Sequence, residues 1–249
     1  MIDGLINRFE YTVQPQDLDG MRHFRAVALE RALLNAAGDA ANERNFGAFK
    51  MIDSGGASWI LLKIAIEMSG MPREEETIKI ETWVEKVGRL LTTRNYVVKN
   101  QHGEIIGHAA SEWTMLDLKT RRPYPITTDN NILSCINAVP VPVELPGKLP
   151  PLQAGEEDVK HSLKVSYSDI DYNGHTNSMQ YLQWMLDACP VEMLYSQSMA
   201  RIEIVYMREV RYGDSVNVLY KEIPGGESHF AVQGEDGTDC VRTRILWKQ

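Results

Sequence analysis

Asp171, Asn173 and His175 alternate along one short stretch of the chain and could act together in a reaction. Where a backbone is extended or turning, alternate side chains point the same way, so the three can converge on one pocket. A carboxylate or an imidazole can take a proton from water, and an amide can donate to a carbonyl oxygen. A helix is predicted just after His175, and its first N–H groups can hold a developing oxyanion. These are useful parts for thioester hydrolysis, and none of them needs a metal or a cofactor.

The same run also has the composition of a turn that merely precedes a helix. Asp, Asn and Gly are common turn residues, and Thr176 or Asn177 could cap the helix without a catalytic role. A repeat in the chain bears on this choice, because residues 17–23 match residues 169–175 without gaps, 152 positions earlier. Met21 stands where the second copy has an asparagine. One reactive copy beside one impaired copy would give this pattern, as would neutral drift.

Glu209 is a second candidate for acid–base chemistry. It lies where a strand should end and a turn containing Gly213 should begin. A carboxylate among tyrosine and apolar residues could serve as a base. The alternative is a surface carboxylate paired with Arg208 or Arg211.

Both copies of the motif are followed by the same succession of elements. Apolar residues at helical spacing predict one helix over residues 26–37 and another over residues 179–188. Alternating apolar and polar residues then predict four strands in each half. These strands are residues 59–67, 77–84, 94–99 and 105–118 in the first half, and 201–206, 215–222, 228–233 and 240–247 in the second.

One long helix followed by an antiparallel meander, present twice, predicts an α+β protein with two hotdog folds in tandem. Two such sheets side by side can join into one continuous sheet, which removes an exposed edge. We expect a first half over residues 1–138 and a second half over residues 159–249. Residues 139–158 are rich in proline and should form an extended linker. A fused pair already resembles a hotdog dimer, so a monomer or a homodimer is expected.

Composition excludes several classes of function. A formal net charge of −8 is unlike that of a general nucleic-acid binder, which needs a basic face. Three cysteines without metal-type spacing indicate neither a disulfide framework nor a metal site. No apolar stretch is long enough to cross a membrane, and the N-terminus lacks the pattern of a secretory leader, so we expect a cytoplasmic protein.

Taken together, the motifs resemble those of acyl-ACP thioesterases, which release fatty acids from acyl carrier protein (ACP). That family has an Asp-x-Asn-x-His run followed by an Asn-rich turn and a helix with a tyrosine, and residues 171–181 are similar. Its Tyr-x-Arg-Glu segment is matched by residues 206–209. Three tryptophan-containing strands of its first half resemble residues 59–61, 82–84 and 113–115, in that order.

The resemblance implies catalytic roles for Asp171, Asn173, His175 and Glu209. Either Glu209 or His175 would be the base toward water, Asp171 would orient its neighbours, and the asparagine would bind the oxyanion. Plant members carry a cysteine directly after the glutamate. This chain has Val210 there, which excludes a cysteine nucleophile at that position.

The resemblance also implies that the first half holds the acyl chain without reacting, in a pocket lined by Trp59, Phe46 and Phe49. ACP is acidic, so a basic cluster should bind it. The two candidate clusters are Lys119, Arg121 and Arg122 in the first half, and Arg208 and Arg211 in the second. Other functions compatible with the fold are an acyl-CoA thioesterase, a hydratase or dehydratase, and an acyl-binding protein without activity. Asn173 and Glu209 favour hydrolysis over the last two.

Overall fold

The computed structural model of the chain describes residues 5–126, 130–152, 155 and 157–248. It divides into two compact units, Met1–Leu145 and Pro146–Gln249. The division falls inside the proline-rich segment between the two copies of the motif.

The first unit is an antiparallel sheet with one long helix. Its strands are β1 (Asn7–Thr12), β2 (Ala57–Met68), β3 (Thr77–Val87), β4 (Thr92–Lys99), β5 (Ile105–Asp117) and β6 (Pro123–Tyr124), and its helices are α1 (Ala26–Glu43), α2 (Ala48–Gly55) and α3 (Asn130–Leu133). The strand order is β1–β3–β4–β5–β2, and the short β6 pairs with β5. The buried face of α1 consists mostly of alanine and leucine, and α1 contacts β1 and β3. Small side chains let a helix and a sheet approach closely, and α1 accordingly packs against the sheet.

The second unit repeats this plan with a shorter helix. Its strands are β7 (Val159–Lys164), β8 (Ser198–Tyr206), β9 (Ser215–Ile223), β10 (Glu227–Gly234) and β11 (Asp239–Lys248), and its helices are α4 (Ser178–Asp187) and α5 (Val191–Ser196). The strand order is β8–β11–β10–β9–β7, all antiparallel. Burial alternates along β11, as expected for a strand with one covered face. The apolar stripe of α4 is buried, and α4 contacts β9 and β10.

The eight predicted strands and the two long helices are confirmed, with small differences at their ends. Three short helices, α2, α3 and α5, were not predicted from the sequence. Gly56, which ends α2, has a φ of +63°, and a glycine in the left-handed region is a common end of a helix. That glycine was the available signal for α2.

The proline-rich residues 139–152 contain neither helix nor strand, yet they are bound to the units. The carbonyl of Val139 accepts hydrogen bonds from Trp83 Nε1 at 2.9 Å and from Asn95 Nδ2 at 3.1 Å in the first unit. After the division, Leu152 packs with Leu219 in the second unit. The segment therefore lacks regular structure and is anchored at both ends, and its role as a linker stays a prediction.

Within the described residues, no helix combines the length and the apolar character that crossing a bilayer would need.

Candidate active site

The turn before α4 is built around the carboxylate of Asp171. Its Oδ1 accepts the backbone N–H of Asn173 at 2.8 Å and that of His175 at 3.4 Å. The Asp171 N–H donates to the carbonyl of His175 at 2.9 Å, which closes the turn. Gly174 has a φ of +76°, in the region that glycine adopts most easily. Asp171 thus fixes the backbone on both sides of the glycine and holds Asn173 and His175 in one compact turn.

The first unit contains the same turn, contact for contact. Asp19 Oδ1 accepts the N–H groups of Met21 and His23, both at 2.8 Å, and the Asp19 N–H donates to the carbonyl of His23 at 2.9 Å. Arg22, with a φ of +63°, occupies the place of Gly174. Asp19 and Asp171 therefore build the same turn in the two copies. The copies differ in Asn173, which is Met21 in the first unit, and in the surroundings of the histidine.

The first aspartate of each copy is also structural. Asp17 Oδ2 accepts the N–H of Gln14 at 2.9 Å and the hydroxyl of Tyr11 at 2.6 Å. Asp169 Oδ2 accepts the N–H of Ser166 at 2.7 Å. Both aspartates are buried, so each anchors the chain just before its turn.

The two copies differ most in what the histidine contacts. His175 Nε2 lies 3.2 Å from Glu209 Oε2, and the two side chains are 13% and 30% exposed. His23, by contrast, has a side chain that is 54% exposed and lies near Asp19 of its own turn, with Nδ1 3.4 Å from Oδ2. The second copy alone thus joins its histidine to a carboxylate from another loop, in a partly enclosed place.

The surface pairing considered for Glu209 is not what the structure shows. Arg208 Nη1 lies 2.8 Å from Asp236 Oδ2, and the exposed Arg211 forms no ion pair with any described residue. The carboxylate of Glu209 faces the histidine instead. Two residues separated by more than thirty positions, which the sequence analysis proposed independently, are therefore in contact.

Backbone contacts and one buried tyrosine hold the two loops together. The Thr176 N–H donates to the carbonyl of Val210 at 2.8 Å, one residue after each member of the pair. Tyr181, on α4, lies beside the Thr176 side chain and the Val210 backbone, and burial raises the pKa of Tyr181 well above its ordinary value. Its ring packs edge-on against Tyr206, the last residue of β8, with centroids 6.1 Å apart. Tyr181 therefore remains a neutral phenol that packs beside the residues following His175 and Glu209, and the sequence did not assign it this role.

The first N–H groups of α4 are less available to bind an oxyanion than the sequence suggested. Asn177 caps α4, as the alternative interpretation of the motif expected, and its Oδ1 accepts the Met179 N–H at 3.1 Å. The carbonyl of Asn177 accepts the Gln180 N–H at 2.9 Å. Asn173 lies in the turn, half-buried, and its amide is the stronger candidate for an oxyanion donor.

Thiol chemistry is disfavoured throughout the second unit. Burial raises the pKa of the Cys189 thiol to about 12, and burial also raises the pKa of Cys240. Val210 is itself buried at the position where plant members carry cysteine. The thiolate is the nucleophilic form of cysteine, so neither thiol suits nucleophilic attack near neutral pH.

The described residues also contain no cluster of His, Cys, Asp and Glu that could hold a metal ion.

The residues expected to line the acyl pocket are only partly brought together. Trp59 Nε1 donates to the carbonyl of Phe46 at 2.8 Å, and their rings meet edge-on with centroids 6.3 Å apart. Both belong to an apolar cluster with Met115 and Val84. Phe49, on α2, is 63% exposed instead. The roles of all three in acyl binding stay predictions.

Comparison with known proteins agrees with this architecture. A family model described as the acyl-ACP thioesterase N-terminal domain matches residues 4–133, and one described as the C-terminal domain matches residues 152–249. An acyl-ACP thioesterase structure from Bacteroides thetaiotaomicron is 30% identical, with a TM-score of 0.90 and full coverage of both chains. The 12:0-ACP thioesterase from Umbellularia californica also has a TM-score of 0.90, at 20% identity over 98% of each chain, and this likeness concerns the fold alone.

A curated relative extends the comparison to plants. The chloroplastic palmitoyl-acyl carrier protein thioesterase of Cuphea hookeriana is 26% identical over 265 residues, which cover 99% of this chain. The chain spans about 63% of the length of that relative. The structural matches confirm the predicted α+β tandem hotdog fold, and both family models together cover most of the sequence. The chain belongs to the acyl-ACP thioesterase family.

Proposed function

We propose that the protein hydrolyses the thioester of fatty acyl-ACP and releases a free fatty acid and ACP. The observation that carries this proposal is the contact between His175 and Glu209, beside a turn that presents Asn173. Relatives named as an acyl-ACP hydrolase and a palmitoyl-ACP thioesterase support the substrate class. Asp171 acts in this proposal as a positioning residue, because its Oδ1 is occupied by backbone N–H groups.

Glu209 is the proposed base toward water. Its side chain is the more exposed member of the pair, and His175 Nε2 faces one of its carboxylate oxygens. Glu209 takes a proton from water as the water oxygen attacks the thioester carbon, and His175 holds the carboxylate in place. The amide of Asn173 donates to the carbonyl oxygen as it becomes an oxyanion.

Collapse of the tetrahedral intermediate breaks the carbon–sulfur bond. The electron pair of that bond leaves with sulfur, and Glu209 returns its proton to the thiolate. The products are a carboxylic acid and the free thiol of the carrier. Water supplies both the hydroxyl group and the proton, so the reaction balances without another reactant.

The first unit is the proposed site for the acyl chain, and its basic cluster is the proposed contact for ACP. Lys119, Arg121 and Arg122 are exposed in the turn between β5 and β6. Asp117 holds this turn by accepting the N–H groups of Lys119 at 3.0 Å and Thr120 at 2.7 Å. The other candidate cluster has two cations, of which Arg208 already pairs with Asp236, whereas the first unit presents three exposed cations on one turn, so we favour the cluster of the first unit.

Hydrolysis of matched acyl-ACP and acyl-CoA substrates of graded chain length tests the proposal. We expect kcat/KM to be higher for acyl-ACP at every chain length that reacts. A clear preference for acyl-CoA would show that the carrier is wrong, and absence of hydrolysis with both would show that the reaction is wrong.

A further inference from the structure

Large apolar side chains are exposed on the two loops that carry His175 and Glu209. Loop 165–177 and loop 207–214 contain four of them, each between 53% and 88% exposed. They are Tyr167, Tyr172, Met207 and Tyr212. Elsewhere in the described part of the second unit, the exposed large apolar side chains are Val191 and Tyr195. A concentration of exposed apolar surface at one place usually marks a surface that binds something.

Backbone hydrogen bonds join the two loops at two places. The Val165 N–H donates to the carbonyl of Asp214 at 2.9 Å, and the Gly213 N–H donates back to the carbonyl of Val165 at 3.0 Å. At the other end, the Thr176 N–H donates to the carbonyl of Val210 at 2.8 Å. The exposed side chains therefore lie on the same two connected loops as the histidine and the glutamate.

A cation lies within this surface. Arg211 precedes Tyr212 directly, its side chain is exposed, and it forms no ion pair within the described ranges. Its backbone N–H donates to Asp214 Oδ2 at 2.9 Å, which fixes the loop at this point. The guanidinium is therefore available to an anionic group of a ligand, unlike that of Arg208, which pairs with Asp236.

We propose that this surface binds the phosphopantetheine arm of the thioester substrate, with Tyr172 and Tyr212 packing along the arm and Arg211 at its phosphate. The inference rests on the proposed function. On the sulfur side of the thioester, the substrate continues as a chain of methylene and amide groups that ends in a phosphate. Tyrosine rings pack against such chains at a small cost in conformational entropy, and a guanidinium forms paired hydrogen bonds with phosphate oxygens.

Three substrates with the same acyl group distinguish recognition of the arm from recognition of the carrier protein and of the thioester itself. Acyl-ACP carries the arm and the protein, S-acyl-4′-phosphopantetheine carries the arm alone, and S-acyl-N-acetylcysteamine carries little more than the sulfur. We expect Tyr172→Ala, Tyr212→Ala and Arg211→Ala each to lower kcat/KM about fivefold or more with the first two substrates. The N-acetylcysteamine thioester should be hydrolysed as fast as by the wild-type protein.

Tyr195→Ala is the matched control, because this tyrosine is also exposed but lies on α5, outside both loops. It should leave kcat/KM unchanged with all three substrates. Loss confined to acyl-ACP would show that the surface recognises the carrier protein, and equal loss with all three substrates would show a role in the reaction centre. Either result, or no loss in any variant, overturns the proposal. Failure of the wild-type protein to hydrolyse any of them would instead refute the proposed function.

Discussion

His175 Nε2 lies 3.2 Å from Glu209 Oε2, although the two residues come from different loops of the second unit. The turn before α4 supplies the histidine, and the loop after β8 supplies the glutamate. The equivalent histidine of the first unit, His23, lies against the aspartate of its own turn and is largely exposed. This difference between two otherwise matching turns is the basis for assigning reactivity to the second unit.

Replacing His175 or Asn173, in the turn before α4, should reduce turnover. We expect His175→Ala and Asn173→Ala each to lower kcat at least tenfold, since positioned acid–base groups and oxyanion donors commonly contribute between about 10² and 10⁴ in rate. His23→Ala is the matched control and should leave kcat unchanged. Steady-state hydrolysis of acyl-ACP measures all three, and strong loss in a folded His23→Ala protein would show that the first unit reacts too.

Variants of the equivalent residues Asp19 and Asp171 distinguish an effect on the stability of the turn from an effect on catalysis. Asp171→Ala and Asp19→Ala each remove a carboxylate that accepts two backbone N–H groups, so each should lower the free energy of unfolding by about 1–2 kcal/mol. Only Asp171→Ala should also lower kcat tenfold or more, because its turn positions His175. Denaturant unfolding and turnover are measured on both variants. Equal kcat in the two would remove the positioning role of Asp171.

Tyr181 should affect turnover through the Glu209 loop. Tyr181→Phe deletes a buried hydroxyl near Val210, and one buried polar group is typically worth about 1 kcal/mol, so we expect about a fivefold loss in kcat with little change in KM. Tyr220→Phe is the control, because it deletes another buried hydroxyl of the same unit, which donates to Met193 Sδ at 3.3 Å. An equal reduction of kcat in both variants would contradict a specific role of Tyr181 at the Glu209 loop.

Thiol reagents and cysteine substitutions should not affect turnover. Burial raises the pKa of Cys189 to about 12 and also raises the pKa of Cys240, so both thiols stay protonated below about pH 9. We expect Cys189→Ala and Cys240→Ala to retain wild-type kcat between pH 6 and pH 9 in proteins that remain folded, as judged by circular dichroism. A folded variant without turnover would place a thiol in the mechanism.

The regular elements of the fold could be predicted from sequence because their residues carry periodic information. Alternation of apolar and polar residues located β3 and β11, and an alanine- and leucine-rich stretch located α1. Residues 139–152 show what periodicity cannot give. Their prolines indicate an extended chain, whereas the hydrogen bonds to Val139 come from side chains more than forty positions away.

The site was predictable in its residue types but not in its contacts. The repeat and the motif selected His175, and a separate strand-end argument selected Glu209. Their contact depends on where two loops meet, which no local pattern encodes. For Asp171 the sequence left a turn role and a catalytic role open, and the positions of two N–H groups show that its carboxylate builds the turn.

The central claim is that Glu209, held by His175, is the base that activates water. The most direct test is kcat of Glu209→Gln with saturating acyl-ACP, compared with the wild-type protein and with thermal unfolding of both. Glutamine keeps the size of the side chain and removes its basicity, so we expect kcat to fall about a hundredfold or more while the unfolding temperature changes little. A folded Glu209→Gln protein with wild-type kcat would contradict the account.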